Sequence, residues 1–276
     1  MFPIFELGPF TIGMYGVCCT IGIALAILLA FRNSRFSRIC FEDMIILAAV
    51  LLIGAFVGAK LLYLIVEGDS IAEMFRTHGV NMETLTGLLQ GGFVFYGGFI
   101  GGFIAALLFA KTHKIKPMLI LTIIAPSIPL AHAFGRVGCF MAGCCYGMPS
   151  EKFGIAFTQS LGAPNGIKLF PVQLLEAALL LLLAFAMQLY FSKGKHRHCA
   201  VYIYLFVYPI IRIITERFRY DDSERGIYFG LSTSTWISLG LILMGLIMLV
   251  IDWKKGFPEP ELPPEPVYED ESDHAA

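Results

Sequence analysis

Charge is what this chain is shortest of: 15% of its 276 residues are Asp, Glu, Lys or Arg, and the formal net charge is -1. Soluble domains carry about 25% charged residues, so this composition cannot cover a water-facing surface. The near-zero balance also excludes a basic nucleic-acid-binding face, and no nucleic-acid partner is expected. The opening Met-Phe-Pro-Ile-Phe-Glu-Leu-Gly-Pro lacks a basic n-region, and no small-residue cleavage site follows the first apolar run, which therefore reads as a retained span. Cysteine is sparse and scattered, as Cys18, Cys19, Cys40, Cys139, Cys144, Cys145 and Cys199. That is neither a secreted disulfide framework nor a Cys-x-x-Cys pair of zinc ligands, and no metal or cofactor is read from it. No internal repeat is visible, which weighs against an inverted-repeat transporter.

What is present is apolar length, since 57% of the residues are hydrophobic. A membrane helix needs about 20 mostly apolar residues, and about seven segments qualify: 12–31, 44–65, 92–110, 117–134, 171–191, 199–215 and 232–252. The expectation is an all-α, polytopic integral membrane protein with one transmembrane domain over 1–255 and a disordered cytoplasmic tail over 256–276, where Pro-Glu repeats and acidic residues cannot bury apolar surface. Basic residues follow every second span (Arg32, Arg35 and Arg38; Lys111, Lys114 and Lys116; Lys193, Lys195 and Arg197; Lys254 and Lys255). By the positive-inside rule the N-terminus is outside and the C-terminus cytoplasmic, so the mixed-charge connections 66–91, 135–170 and 216–231 face outward.

The stretch Ala133-Phe-Gly-Arg-Val-Gly-Cys-Phe-Met-Ala-Gly-Cys-Cys-Tyr-Gly147 interrupts this apolar pattern with an arginine, four glycines and three cysteines. It reads as the place where a membrane helix ends and turns, with Arg136 close to the bilayer boundary as an interfacial anchor or an anion-holding group. Arg212, Glu216 and Arg219 fall at i, i+4 and i+7, one helix face, where a glutamate between two arginines can satisfy one and hold the other toward a ligand. Two such arginines with Arg136 would suit a phosphate, because guanidinium meets it bidentately; a salt-bridged helix end is the other reading. The glycine-rich opening of the third span carries Tyr96. There Gly98, Gly101 and Gly102 read as helix-packing positions, and Gly91, Gly92 and Gly97 as loop residues near a site. Lys60, Gln173, Glu176, Tyr15 and His132 are the remaining polar groups in apolar surroundings: Gln173 and Glu176, at i and i+3, share a partner or make a packing contact, Tyr15 reads as an interface anchor, and His132 as a base or a satisfied interior histidine.

Taken in order, these residues resemble the prolipoprotein diacylglyceryl transferase family. The likeness runs through Leu-Gly-Pro-Phe with Tyr15-Gly, Gly-Ala-Lys-Leu-Leu-Tyr, Gly-Gly-Phe-Val-Phe-Tyr-Gly-Gly, Gly-Arg-Val-Gly with a later Tyr-Gly, Pro-Val-Gln-Leu-Leu-Glu and Arg-Ile-Ile-Thr-Glu-Arg-Phe-Arg. The resemblance implies a bacterial inner-membrane enzyme that moves the diacylglyceryl group of phosphatidylglycerol onto the lipobox cysteine of a preprolipoprotein, with phosphatidylglycerol, preprolipoprotein signal peptides and membrane lipids as partners and no cofactor. It also implies an outward-facing site. Arg136, Arg212, Glu216 and Tyr96 are the expected catalytic residues, and Tyr15, Arg136, Gly147, Cys139, Cys144 and Arg219 the expected substrate-binding ones. The chain departs from the family's signature loop, with Cys139 and Ala142 in place of asparagines, Cys144 in place of a glutamate, and Tyr96 in place of a histidine. The departures keep two other readings open: a lipid-binding or transport protein on the same scaffold, and a membrane thiol-redox protein using Cys139, Cys144 and Cys145. In the oxidising compartment a bridge from Cys139 to either partner is sterically easier than one between the adjacent pair.

Overall fold

A computed structural model describes residues 3–7, 10–90, 92, 94–160, 162–220, 227–257 and 262. Gly91 and the 256–276 tail beyond Phe257, apart from Leu262, lie outside the described residues, as does the charged run at 221–226. The chain forms two compact units, one of residues 1–33 and 121–260 and the other of residues 34–120 and 261–276.

In the first unit, the strands β1 (Ile4–Leu7) and β2 (Phe10–Gly13) pair as an antiparallel hairpin that leads directly into α1 (Met14–Ser34). The helices α7 (Ser127–Ala142), α8 (Val172–Ser192), α9 (Cys199–Glu216) and α10 (Thr233–Lys254) pack in sequence, α7 on α8, α8 on α9 and α9 on α10. In lipid, apolar surface alone gives helices little reason to associate, so polar contacts between them matter. Asn33 and Gln188 exchange amide hydrogen bonds at 3.1 and 2.9 Å, and Asn33 also donates to the Ile123 carbonyl at 3.3 Å. The Tyr202 hydroxyl donates to Asp252 and ties α9 to α10. Between α7 and α8 the loop folds on its own small core, where Phe157, Ala163 and Leu169 are buried under Phe140 and Tyr146. Its hairpin pairs β3 (Ile155–Ala156) with β4 (Lys168–Leu169). A second hairpin, β5 (Ile227–Tyr228) with β6 (Leu231–Ser232), precedes α10, whose first turn is capped by Ser232 accepting from the Thr235 N–H.

In the second unit, α2 (Phe41–Val66) lies along α5 (Phe95–Thr112), with the shorter α3 (Gly68–His78) and α4 (Met82–Gln90) between them in sequence. The α2–α5 seam is a glycine contact. A Cβ added at Gly97 would stand 2.3 Å from the Gly58 carbonyl oxygen, and one at Gly101 would stand 2.1 Å from that of Gly54. Of the expected packing glycines, Gly101 and Gly98 do meet α2, a Cβ at Gly98 standing 3.2 Å from the Ala55 carbonyl oxygen, whereas one at Gly102 meets nothing closer than Ala55 at 3.7 Å; Gly97, expected in a loop, is the further packing glycine. Gly97 and Gly101 lie at i and i+4, on the face that meets Gly54 and Gly58. Lys60 is also occupied within this unit, donating to the Leu88 carbonyl at the end of α4 and, at 3.4 Å, to that of Gly92, while standing over the Tyr63 ring. Gly101→Ala is expected to cost about 1–3 kcal/mol by forcing the helices apart, while Gly102→Ala stays near the parent. Thermal unfolding in detergent checks the pair.

All seven apolar segments fall on helices. Five are long and apolar enough to cross a membrane, at Met14–Ser34, Phe41–Val66, Val172–Ser192, Cys199–Glu216 and Thr233–Lys254, and a sixth arises if α6 (Pro117–Ile124) and α7 count as one span bent by 47°. The apolar helix over Gly97–Thr112 is shorter. Proline explains the bend: Pro126 and Pro129 cannot donate to the carbonyls of Thr122 and Ala125, so the ladder opens where the two helices meet.

Candidate active site

Arg136 lies inside a helix, not in the turn expected from the glycine-rich stretch. α7 continues through Gly135 and Gly138 to Ala142, and the turn falls at Gly143, whose φ of 74° closes the helix with its N–H on the Cys139 carbonyl at 2.9 Å. Gly138 serves packing instead: a Cβ there would stand 3.1 Å from the Tyr15 ring and 3.3 Å from Cys18 of α1. Arg136 therefore sits about 9 Å below the end of its helix, at 1.5 Å per residue. Tyr15, 47% exposed, lies against this face of α7.

A buried carboxylate organises the site. Glu176, in the second turn of α8 and 1% exposed, faces two arginines from the helices on either side. Its Oε1 is 3.1 Å from Nε of Arg136, and its Oε2 accepts from Nη1 of Arg212 at 3.1 Å. Arg212 turns its other terminal nitrogen to Glu216 at 2.8 Å, and Glu216 in turn lies 3.7 Å from Nη1 of Arg219. Arg212, Glu216 and Arg219 are thus brought together, but α9 ends at Glu216 and Arg219 reaches it from the segment beyond, while Arg212 is spent on two carboxylates and is not directed at a ligand. Glu176, the residue that joins α7, α8 and α9, is the member that sequence reasoning left among the packing contacts. Its signal was the pairing with Gln173 at i, i+3 at the start of an apolar helix.

Among the described residues, three arginines meet two carboxylates here, in a setting where burial strengthens every pair. The open donors fall at Arg136. Only its Nε meets Glu176, and among the described residues no protein group partners its terminal nitrogens. A partly buried guanidinium fork with two open donors is built to take an oxyanion.

The loop after α7 is fastened beside this cluster. Gly147 bridges to Arg219, with Met148 N–H on the Phe218 carbonyl at 2.9 Å and Tyr220 N–H on that of Tyr146 at 3.1 Å. Only glycine fits, because a Cβ at 147 would stand 2.4 Å from the Phe170 carbonyl oxygen. Gln173, 1% exposed, donates to the Cys144 carbonyl at 2.8 Å. Cys145 adopts a φ of 55°, a left-handed conformation that costs a non-glycine residue about 1 kcal/mol or more. The sulfurs of Cys139, Cys144 and Cys145 lie within 4.8 Å of one another, and all three are free thiols. The Cys145 thiol is drawn well below its ordinary range by hydrogen bonds from Cys139 and Cys144 and then by Arg219 and Arg136, while Cys144 is pushed up by its bonds to Cys139 and Cys145 and by burial. His132 sets its ring edge-on to Tyr208 at 5.4 Å. Tyr96 is in the first turn of α5 in the other unit, and its side chain lies outside the described residues.

Comparison with known proteins gives the family. Residues 3–251 match the family model described as prolipoprotein diacylglyceryl transferase. The chain is 38% identical to the phosphatidylglycerol–prolipoprotein diacylglyceryl transferase of Clostridium tetani, over 90% of this chain and 96% of the relative. It is 31% identical to the second such enzyme of Clostridium perfringens, over 91% and 95%, and 29% identical to that of Streptococcus pneumoniae, over 92% and 94%. With nearly its whole length matched, this multi-pass membrane chain belongs to the prolipoprotein diacylglyceryl transferase family.

Proposed function

We propose that this protein transfers the diacylglyceryl group of phosphatidylglycerol to the lipobox cysteine thiol of a preprolipoprotein, forming a thioether and releasing glycerol 1-phosphate, at a site facing the outside of the cytoplasmic membrane. The observation that carries the reading is the uncommitted guanidinium fork of Arg136 beside an otherwise ion-paired cluster. Phosphatidylglycerol is the anion at hand in a bilayer, and its phosphodiester oxygens suit the open guanidinium fork.

In this mechanism the lipid phosphate docks on Nη1 and Nη2 of Arg136. The acceptor sulfur, as thiolate, attacks the glycerol carbon, and the carbon–oxygen bond breaks toward the phosphate. Charge on the leaving phosphate rises from one to two as this happens, so a cation already in place stabilises the transition state more than the bound lipid. Arg212 and Glu176 act by position: Glu176 fixes the direction of the Arg136 plane, and Arg212 with Glu216 keeps Glu176 in register. Arg219, engaged with Glu216 and backed by Gly147, adds positive potential on the side of the loop. Tyr15 borders the same face of α7 and suits a headgroup contact. Residues 1–255 work as the transferase and 256–276 as an appended cytoplasmic tail.

Headgroup release tests the reaction class. Glycerol 1-phosphate is expected only when phosphatidylglycerol and a lipobox-cysteine peptide are both supplied, and none with a serine peptide; release without any peptide would indicate a phospholipase C-type hydrolase instead. Orientation has its own test, motivated by the alternation of basic connections. Cysteines placed at Lys114 and Lys195 should resist an impermeant thiol reagent in intact cells, and those at Glu83 and Ser160 should react. The reverse labelling would invert the topology.

A further inference from the structure

Attack by sulfur requires a thiolate, and a free cysteine thiol with a pKa of about 8.5 is mostly protonated at neutral pH. The loop beside Arg136 holds a group of side chains suited to solving that problem. Cys139 at the end of α7 and Cys144 and Cys145 just beyond it bring three sulfurs within 4.8 Å of one another. Tetrahedral zinc with bonds of about 2.3 Å spaces its sulfur ligands about 3.8 Å apart, a change that side-chain rotation supplies. We propose that Cys139, Cys144 and Cys145 bind one zinc ion whose fourth coordination position takes the acceptor peptide's thiol as thiolate; the second half of this proposal rests on the transferase reading above.

Four features of the site support it. The ligands are held by backbone: Gly143 closes the helix in the left-handed region, the Cys144 N–H reaches the Cys139 carbonyl at 3.1 Å, and Gln173 anchors the Cys144 carbonyl. Cys145 accepts an uncommon φ of 55°, the kind of backbone outlier that accumulates where a side chain must be aimed. All three cysteines are half-buried, so a substrate sulfur can reach them. No fourth His, Cys, Asp or Glu donor joins the group among the described residues. Three protein ligands and one exchangeable position is the pattern of catalytic rather than structural zinc. Charge agrees as well, because three thiolates and Zn²⁺ carry one net negative charge, next to Arg219 and Arg136.

The step balances without an oxidant. The acceptor thiol replaces a zinc-bound water, its sulfur bonds to the metal and its proton passes to solvent, since a coordinating thiol is deprotonated outright. The zinc-held sulfur then forms its bond to the glycerol carbon, the carbon–oxygen bond breaks, and the electron pair leaves on glycerol 1-phosphate. The thioether product is a poor zinc ligand and gives the position back to water.

Zinc analysis and cobalt spectroscopy of the full-length protein, purified in detergent without chelator, test the proposal. About one zinc per chain is expected, falling by tenfold or more in Cys139→Ser and Cys145→Ser. Should those variants fail to fold, cobalt substitution of the unmutated protein keeps the test: it should show sulfur-to-cobalt charge-transfer absorption and tetrahedral visible bands, and these bands should shift with a lipobox-cysteine peptide but not with its serine analogue. A wild-type protein that retains neither zinc nor cobalt, or that carries a disulfide among these sulfurs, overturns the site. Bound metal whose spectrum ignores the peptide thiol overturns the fourth position. A thiol-dependent cobalt shift without any thioether formed from phosphatidylglycerol supports the metal site and removes the transferase reading instead.

Discussion

Arg136→Ala should slow diacylglyceryl transfer by about a hundredfold to a thousandfold while the protein still inserts in the membrane. The effect follows from where the charge lies: Glu176 takes Nε of Arg136, and the terminal nitrogens are the donors left for a phosphate. Losing a preorganised cation at a developing oxyanion costs about 2.7–4 kcal/mol of transition-state stabilisation, the source of the fold-change. Lysine at 136 should recover part of the rate, since it keeps the charge and loses the planar fork. The measurement is kcat with phosphatidylglycerol at saturation. Because a phosphate contact strengthens as charge leaves the carbon, the loss should fall on kcat more than on KM. A purely anchoring arginine would leave both near the parent values.

Glu176→Ala should be the most destabilising single change in the cluster. Removing it takes from Arg136 and Arg212, both largely buried, the carboxylate they share. Breaking a buried pair by deleting one partner typically costs about 3–5 kcal/mol, because the remaining charge stays desolvated. The second half of the expectation is a rescue: Glu176→Leu combined with Arg212→Met removes a carboxylate and a guanidinium together and should recover much of the unfolding temperature, but not the activity, since Arg136 loses the group that orients it. Detergent melting curves of the single and double variants decide this. A Glu176→Ala protein as stable as the parent would mean that the arginines find water instead.

These two residues also mark what a sequence can and cannot disclose in a membrane fold. The helices were legible because lipid imposes a length and a composition on any span, and each apolar segment carries that imprint. Arg212, Glu216 and Arg219 were legible as a group because helix geometry alone puts i, i+4 and i+7 on one face. Glu176 was not, because its partners lie on α7 and α9, and which helix faces α8 is decided by packing that no local spacing encodes. The same limit ended the apolar segment at residue 134, whereas α7 runs on to Ala142: glycine marks both a chain reversal and a close helix contact, and Tyr15 against Gly138 distinguishes them. The β-hairpins around the loops were hidden for another reason, being two to four residues per strand, too short for alternation to show. The cysteine group lay between these cases. Its spacing fits no familiar ligand pattern, and a left-handed turn at Gly143 is what gathers the three sulfurs.

The mass of one peptide tests diacylglyceryl transfer most directly. Incubated with purified protein and phosphatidylglycerol vesicles, a lipobox-cysteine peptide should gain the mass of one diacylglyceryl group on its sulfur, stable to the mild base that strips its acyl esters, and should gain nothing with the Arg136→Ala protein. A folded, membrane-inserted wild-type protein that leaves the peptide at its starting mass would contradict it.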